Sequence, residues 1–547
     1  MGISEDIIQA SLRHGVQTKD EFLEFKRKMS GAAGENVPPT SALRKAYAKV
    51  VAADPSRASA ALDKVLTRRG VRSLSGVAIV TVLTKPYACP GKCVYCPTEA
   101  IMPKSYLSNE PAAMRALMHR FDPWKQVTQR LRALTDNGHA ADKIELIVKG
   151  GTWSAYAWEY QQWFIKRCFD ACNHFLAAER ERTETLAEAQ DRNETAGHRI
   201  IGITLETRPD WITPKEILRL RALGCTRVEL GVQSVDDRIL ELTKRGHDVA
   251  AVTRAAALLK DAGYKTDFHM MPQLPGATPA SDLAEMREIF ANPAFRPDMI
   301  KIYPCVTVEL AELHEWWKDG RYVPYADAEL TEMLIAAKAA VPRYCRISRL
   351  IRDIPSTSIV AGNAVTNLRQ TVQAEMAKRG LKCACLRCRE IGRAAQTEPA
   401  LMKEALTYFD DVYEASGGEE HFMSLEDSAR HAVFAFCRLR LPSKNPHDEV
   451  RELWDTMPEI RGVAFIRELH TYGHLVPIDE HDADASQHKG LGRKLMAEAE
   501  RVAAAAGYSK LAVISGIGVR EYYRKLGYAL EGTYMVKKLA PVAYASA

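Results

Sequence analysis

The sequence predicts an α/β protein with a partial or full TIM-type barrel, a basic helical region before it and a smaller α/β domain after it. Short β-rich runs alternate with helix-like stretches between residues 76 and 304, as in βαβ units that build a parallel sheet. Beyond about residue 396 this rhythm gives way to longer strands and a glycine-opened amphipathic helix. The 547 residues are enough for several domains. We therefore expect three units, at residues 1–75, 76–395 and 396–547.

The N-terminal unit is predicted to be helical and basic. Residues 1–30 and 41–69 have helical patterns, and the breaker-rich segment GAAGENVPPT separates them. Residues 1–75 carry 13 Lys and Arg against 8 Asp and Glu, and residues 342–393 carry 11 against 3, whereas the whole chain has a net charge of only +6. Two concentrated basic stretches favour a polyanion such as RNA as partner. Two solvated helical faces are the alternative.

Six β-rich runs form the predicted barrel. They are GVAIVTVLT (76–84), KIELIV (143–148), RIIGITLET (199–207), RVELGV (227–232), YKTDFHMM (264–271) and MIKIYP (299–304). A barrel of this type carries its reactive groups at the C-terminal ends of the strands. The polar run at 179–197 is expected to be an exposed insertion.

The segment CPGKCVYC, which follows the first predicted strand, concentrates Cys89, Cys93 and Cys96 within eight residues. Three thiolates at this spacing can bind three irons of a 4Fe–4S cluster, whereas structural zinc prefers four protein ligands. C-x3-C-x2-C after the first strand, with the aromatic Tyr95 before the last cysteine, resembles the radical S-adenosylmethionine (SAM) superfamily. There the fourth iron chelates SAM, and one electron from the cluster cleaves SAM to a 5′-deoxyadenosyl radical.

Polar or glycine residues also follow the next strands. A tight turn would explain a glycine pair by itself, but successive strand ends in one barrel layer favour a binding site. The superfamily resemblance makes some of these residues candidates for binding SAM. They are Gly150 and Gly151 in KGGT, Glu206 and Arg208 in ETRPD, and Gln233 in GVQS. His269 ends a further strand.

The C-terminal unit contains a candidate phosphate-binding turn. AVFAFCRLRL (432–441) and GVAFIRELHTYG (462–473) are predicted strands, and Gly490 and Gly492 open the helix that follows. A glycine turn at a helix N-terminus presents free N–H groups to phosphate. The QHKGLG turn, the following strand and the VREYYRKLGY helix resemble the acetyl-CoA loop of GNAT N-acetyltransferases.

A radical SAM barrel joined to a GNAT domain resembles the family of the Elongator catalytic subunit, in a stand-alone prokaryotic form. CVYCP, ITLETRPD, HMMPQLPG, RCREIG, IRELHTYG and YYRKLGY carry the resemblance, which covers roughly residues 75–540. It implies a tRNA-modifying acyltransferase that installs a carboxymethyl group at C5 of the wobble uridine U34. Acetyl-CoA would supply the carbon unit, because a radical formed on the acetyl methyl group can add to this poorly nucleophilic carbon.

The same resemblance implies roles for individual residues. Lys143, Tyr522 and Tyr523 are the candidate catalytic residues, although Lys143 also reads as an exposed lysine at a strand start. The candidate acetyl-CoA-binding residues are Lys143, Glu468, Leu469, His470, Thr471, Gln487, Gly490, Leu491, Gly492, Arg493 and Tyr523.

Cys383, Cys385 and Cys388 form a second cluster, with C-x-C-x2-C spacing. We interpret it as a structural zinc site whose fourth ligand is not apparent, and a second iron–sulfur cluster is the alternative. The site would fix the nearby basic residues, among them Arg387 and Arg389. The remaining six cysteines are expected to be buried as small hydrophobic side chains.

Two other functions remain open from the sequence. A protein lysine acetyltransferase with a scaffolding barrel would act without SAM, and a tRNA-binding subunit would need partner proteins. With every site on one chain, we infer no obligatory protein partner. No apolar run is long enough for a membrane span and no signal peptide is evident, so we expect a cytoplasmic protein without membrane attachment.

Overall fold

A computed structural model describes residues 2–66, 76–177, 183–472 and 490–540 of the chain. The first range is helical and has its own small core, which includes Ile8, Phe22, Leu43 and Tyr47. Its helices are α1 (Ile3–His14), α2 (Lys19–Ala32), α3 (Thr40–Ala53) and α4 (Ala60–Leu66). The Gly15 backbone is left-handed and ends α1, and a capping box between Thr18 and Glu21 starts α2.

A parallel sheet of seven strands follows in the order β1 to β7. The strands are β1 (Ala78–Leu83), β2 (Lys143–Lys149), β3 (Arg199–Thr207), β4 (Arg227–Gln233), β5 (Lys265–Met270), β6 (Met299–Ile302) and β7 (Arg346–Arg349). Within the described residues β1 and β7 are the two edges, so the sheet is a partial barrel. The first six strands match the predicted runs closely, whereas β7, with the sequence RISR, has too little apolar character to be recognised.

Helices cover the outside of this sheet. They are α5 (Pro111–Met118), α6 (Pro123–Asp136), α7 (Trp158–Asn173), α8 (Leu186–Asn193), α9 (Pro214–Ala222), α10 (Asp237–Leu242), α11 (Val249–Asp261), α12 (Pro279–Ala291), α13 (Leu313–Lys318) and α14 (Asp327–Ala340). The prediction of an exposed insertion at 179–197 is wrong for α8. Asn193 is fully buried there, and its side-chain oxygen accepts a hydrogen bond from Ile200 N (2.7 Å), which fixes α8 to β3.

The second sheet is mixed and also has seven strands, in the order β13-β14-β12-β11-β10-β9-β8. Its elements are β8 (Thr407–Ala415), β9 (Gly418–Glu426), β10 (Val433–Leu441), α18 (Asp448–Thr456), β11 (Ala464–Thr471), α19 (Leu491–Ala505), β12 (Lys510–Val513), α20 (Arg520–Arg524), β13 (Ala529–Glu531) and β14 (Tyr534–Lys538). Among the described strand pairs of this sheet, only β11–β12 is parallel. Three short helices, α15 (Leu368–Lys378), α16 (Leu386–Arg389) and α17 (Ile391–Thr397), connect the two sheets.

Buried ion pairs join the barrel to the second sheet. Asp298, at the start of β6, accepts hydrogen bonds from Arg467 of β11 at 2.7 and 2.5 Å. Arg467 also donates to Glu420 (2.8 Å), and Arg440 bridges Glu420 and Asp261 of α11. All five side chains are at most 4% exposed, so each charge depends on its partners for compensation.

The part of the chain that the structure describes contains no helix both long and apolar enough to cross a bilayer. All six cysteines outside the two clusters are buried, as expected.

Candidate functional site

One cavity of about 1290 Å³ runs through the interior of the barrel and reaches the second sheet. Its wall at the C-terminal ends of the barrel strands includes Cys89, Cys93 and Cys96. At the other end the wall is formed by the end of β11 and the start of α19. Inward-facing side chains of the strands, such as Glu145 and Lys149 of β2, line the space between them. The fold therefore brings both groups of predicted site residues to the same cavity.

The loop after β1 holds its three thiols near basic and glycine residues. Arg245 Nη1 donates to Cys93 Sγ (3.6 Å), and Gly91 N donates to Cys89 Sγ (3.4 Å). A hydrogen bond from Cys96 lowers the pKa of Cys93 to about 5 despite burial, and the charge of Arg245 contributes. Cys93 is therefore held toward the thiolate form that iron requires, whereas the hydrogen bond with Cys93 and burial raise the pKa of Cys96 well above its usual range.

The predicted SAM-binding residues lie around this loop. Gly150 has a φ of 140°, and a Cβ there would lie 1.8 Å from Thr84 Oγ1, so only glycine fits. Arg208 is held by Asp210 and Gly246 O, while no described residue forms a hydrogen bond with its buried Nη1. Gln233 has a φ of 74°, and its Oε1 is likewise buried and unpaired. These unpaired polar atoms at the cavity wall are what a polar ligand would satisfy.

A buried charge cluster forms the adjacent wall. Glu229 of β4 contacts Lys149, Lys301 of β6 and His269. Although burial opposes ionisation, Lys149 and Lys301 hold the pKa of Glu229 well below its ordinary value. Burial lowers the pKa of Lys301 to about 8. Glu206, a predicted SAM-binding residue, joins this cluster through Lys149 (3.2 Å).

Sequence reasoning did not identify Glu229, Lys301 or Arg245. The signal was present, because a charged residue inside an otherwise apolar strand, as in RVELGV or MIKIYP, must find a partner when the strand is buried. Arg245 lies outside any strand. Its contact with Cys93 joins two segments that are distant in the sequence, so no local sequence pattern predicts it.

At the opposite end, the first turn of α19 packs against the end of β11. Gly490, with a φ of 90°, is the N-cap of α19. A Cβ on Gly492 would lie 2.7 Å from Tyr522 Oη and 3.7 Å from both Leu469 and Thr471. The predicted residues of this end are therefore neighbours. Gln487 lies outside the described residues.

Glu468 and His470 lie on the same strand end. Burial alone would raise the pKa of Glu468, but the charges of Lys265 and Arg438 hold it at about 2. The His470 ring stacks against Phe436 (5.9 Å between centroids), and burial lowers the pKa of His470. Within the described ranges its Nε2 has no hydrogen-bond partner. Lys143, at the start of β2, lines the same cavity, as do Arg493, Leu491 and Tyr523.

The two arginines of α16 that were expected to act together have different surroundings. Arg387 lines the cavity, and burial among Arg346, Arg393 and Arg369 lowers its pKa to about 9. Arg389 is only 4% exposed and donates to Glu426 of β9 (2.6 Å). Arg389 therefore joins α16 to the second sheet, and its prediction as an accessible basic residue is wrong.

The second cysteine cluster is compact. The sulfurs of Cys383, Cys385 and Cys388 lie within 4.8 Å of one another, and among the described residues no fourth His, Cys, Asp or Glu completes the group. Hydrogen bonds from Cys383 and Cys388 lower the pKa of Cys385, burial opposes this, and the charge of Lys338 lowers it further. The three sulfurs could hold a thiophilic metal ion.

Comparison with known proteins identifies similar chains. Residues 84–288 match the model of the Radical SAM superfamily, and residues 297–378 match that of the Radical_SAM C-terminal domain. A tRNA uridine(34) acetyltransferase of Methanocaldococcus infernus is 47% identical over 87% of this chain and 88% of its own length. Elongator complex protein 3 of Danio rerio is 38% identical over 98% of this chain and 96% of its own length. The solved structure of Methanocaldococcus infernus Elp3 without residues 1–46 is 43% identical and has a TM-score of 0.71, covering 85% of this chain and 100% of that one.

Proposed function

Because this chain belongs to the family of the tRNA uridine(34) acetyltransferases and Elongator complex protein 3, we propose that it modifies the wobble uridine of tRNA. The proposed product is a carboxymethyl group on C5 of U34, made with SAM and acetyl-CoA. The continuous cavity between the cysteine loop and the α19 turn supports this most directly. At about 1290 Å³ it exceeds the usual pocket for one small ligand, as a reaction that unites two cosubstrates requires.

Cys89, Cys93 and Cys96 would hold a 4Fe–4S cluster. The Arg245 and Gly91 N–H groups fit this assignment, because they stabilise thiolates. With SAM, the cluster would supply the one-electron chemistry needed to activate a C–H bond. Gly150 and Gly151 would let the ligand approach the backbone, and the unpaired polar atoms of Arg208 and Gln233 would bind its polar groups, with Glu206 beside them.

The α19 end would bind acetyl-CoA. Gly490 to Arg493 line the cavity at the N-terminus of α19, where free N–H groups would suit a pyrophosphate, and Glu468 to Thr471 form the adjacent wall. Burial raises the pKa of Tyr522 and Tyr523, so both hydroxyls stay protonated near neutral pH and can donate a hydrogen bond. Lys143 would hold its proton toward the thioester oxygen.

We assign three functional units with the limits 1–75, 76–395 and 396–547. The first would contact tRNA through its basic helices, the second would bind the cluster and SAM, and the third would bind acetyl-CoA as a GNAT domain. Cys383, Cys385 and Cys388 would hold zinc between the second and third units. No protein partner is required in this proposal, and the site of action would be the cytoplasm.

The test is anaerobic reconstitution with iron and sulfide, followed by SAM, acetyl-CoA and tRNA, with mass spectrometry of the nucleosides. Carboxymethyluridine that requires every component would support the proposal. Protein acetylation without SAM would favour the lysine acetyltransferase, and product only after adding other proteins would favour a subunit that needs partners.

A Gly492→Glu variant tests the acetyl-CoA end separately. The added side chain meets Tyr522 Oη and puts a carboxylate where a phosphate should bind, so acetyl-CoA affinity should fall about 100-fold, equal to about 2.7 kcal/mol. Ala497→Glu adds the same charge on the exposed face of α19 and should leave the affinity unchanged. Equal calorimetric affinity in both variants would contradict the assignment.

A further inference from the structure

The turn after β4 holds a residue of the cavity wall in an unfavourable backbone conformation. Gln233 has a φ of 74°, a left-handed conformation that persists at a non-glycine residue only when its neighbours hold it. Its side chain lies beside Arg245, because a Cβ added to Gly231 would be 3.1 Å from Gln233 Nε2 and 2.7 Å from Arg245 Nη2. Arg245 in turn donates to Cys93. The conformation of Gln233 therefore determines which polar groups the wall presents to a ligand near the cysteine loop.

Glu285 of α12 holds this turn, although it is not one of the described residues that line the cavity. Its Oε2 accepts hydrogen bonds from Ser234 Oγ (2.7 Å) and Val235 N (2.6 Å), the two residues that follow Gln233. Ser234 is only 2% exposed, and its Oγ also accepts a hydrogen bond from Asp236 N (3.0 Å). Burial raises the pKa of Glu285 to about 6 although both donors lower it, so the group is mostly ionised at neutral pH. Hydrogen bonds to a charged acceptor are the stronger kind, and two of them fix the turn to the helix.

The same helix makes a comparable contact one strand further along. Gln273, which follows β5, is also left-handed, with a φ of 70°, and its N–H donates to Asp282 Oδ2 (2.7 Å). Asp282 and Glu285 are three residues apart and therefore share one face of α12. Gln273 differs from Gln233 in that it is not among the described residues of the cavity wall. Asp282 thus provides an internal comparison, because it makes the same kind of contact to a turn without a candidate ligand-binding side chain.

We propose that Glu285 is a positioning residue for SAM, which keeps Gln233 in the left-handed conformation that directs its side chain toward the ligand. This inference rests on the proposed function, in which Gln233 binds a polar group of SAM. When the Glu285 carboxylate is removed, Ser234 Oγ and Val235 N lose their acceptor, and the turn can relax to a conformation with negative φ. The Gln233 side chain then leaves its place beside Arg245, whereas the acetyl-CoA end of the cavity keeps its own contacts.

The SAM affinity of a Glu285→Ala variant is the first test, in the full chain reconstituted with iron and sulfide. Losing hydrogen bonds to a charged group should lower SAM affinity about 10-fold in calorimetry and leave acetyl-CoA affinity unchanged. Glu285→Gln should recover most of the loss, because its amide oxygen can still accept both hydrogen bonds. If Glu285→Ala fails to fold, Glu285→Asp replaces it, because a carboxylate on a side chain one methylene shorter reaches the turn poorly.

Asp282→Ala is the matched control for this test. It should lower the melting temperature to a similar extent, because it also frees a turn from α12, and it should keep SAM affinity within twofold. Unchanged SAM affinity in the Glu285 variant would overturn the proposal. An equal loss of SAM affinity in the Asp282 and Glu285 variants would indicate general loosening of this end of the barrel and would overturn it too.

A double-mutant cycle with Gln233→Ala is the second test, and it shows whether Glu285 acts through Gln233. If it does, Gln233→Ala should lower SAM affinity at least as much as Glu285→Ala, and the double variant should bind no more weakly than Gln233→Ala alone. Losses that add would reveal an independent effect of Glu285 and overturn the proposal. If Gln233→Ala leaves SAM affinity unchanged, the assignment of Gln233 in the proposed function fails as well. If only Glu285→Ala is without effect, that assignment stands and the positioning role alone fails.

Discussion

The two cysteine clusters contain the same number of thiols at similar spacing, yet they lie in different surroundings. Cys89, Cys93 and Cys96 occupy a loop at the wall of the large cavity, whereas Cys383, Cys385 and Cys388 lie at and just before α16 and do not line that cavity. Each receives an N–H donor at one sulfur, from Arg245 to Cys93 (3.6 Å) in the first and from Gln373 to Cys388 (3.7 Å) in the second. The difference is what a bound metal would face. The first cluster lines the large cavity, where a substrate has room, and the second does not, so the first suits chemistry and the second suits structure.

Replacing Cys93 by Ser should have the largest effect. The variant should lose iron loading and SAM cleavage to background, because an iron site needs all three thiolates. Zinc content should be unchanged if the two clusters are independent. Iron analysis and measurement of 5′-deoxyadenosine report both outcomes.

Cys305→Ala is the matched control, because Cys305 is buried in the same apolar cluster as Cys93 but lies in another segment. The Cys305→Ala variant should keep both iron loading and SAM cleavage. If the Cys93 variant retains its iron and still forms deoxyadenosine, the first cysteine cluster is not the reactive one, and the contrast with the second cluster fails.

Replacing Cys385 by Ser should have the opposite pattern. Zinc should be lost and the free energy of unfolding should fall by roughly 3 kcal/mol, the scale expected when a structural metal is removed. Iron loading of the first cluster should remain. If SAM cleavage by the reconstituted variant falls as sharply as in Cys93→Ser, the second cluster has more than a structural role.

Arg389→Gln should have a smaller effect, again on stability. It breaks the buried pair with Glu426, which keeps Arg430 as a second partner, so we expect a loss of about 2 kcal/mol. Denaturant unfolding measures this. A stable variant with weakened tRNA binding would instead show that Arg389 serves the basic stretch 342–393 as an RNA contact.

Arg387→Gln should have the smallest effect on stability and a specific effect on tRNA. Arg387 faces the cavity and has no ion pair among the described residues, so its removal should cost little folding energy. If it contacts a phosphate, tRNA affinity should fall severalfold and the salt dependence should flatten by about one unit of slope. Identical salt curves for the variant and the wild type would indicate a solvated or purely structural arginine.

The sequence predicted the parts of this molecule that depend on local pattern. Six barrel strands are apolar and regularly spaced, and the thiol and glycine motifs lie on one short segment each. It missed β8 and β9, whose sequences TYFDDVYEA and GEEHFMSLE are rich in acidic residues. Several of those acids are partnered across the sheet by arginines distant in sequence, as Glu420 is by Arg440 and Arg467. The different surroundings of Arg387 and Arg389 had the same cause, because burial of a single side chain depends on the strand that packs over it.

The ion pairs between Asp298, Arg467, Glu420, Arg440 and Asp261 bear on where this chain can be divided. A cut between the two sheets would leave Asp298 and Asp261 on one fragment and both arginines on the other. Each fragment would then expose apolar surface and charges that had been matched across the boundary, so neither half should be soluble when expressed alone. The barrel and the second sheet should melt in a single transition. If one of them is replaced by that of a relative, the charged residues of the other that form these ion pairs should have to be replaced as well.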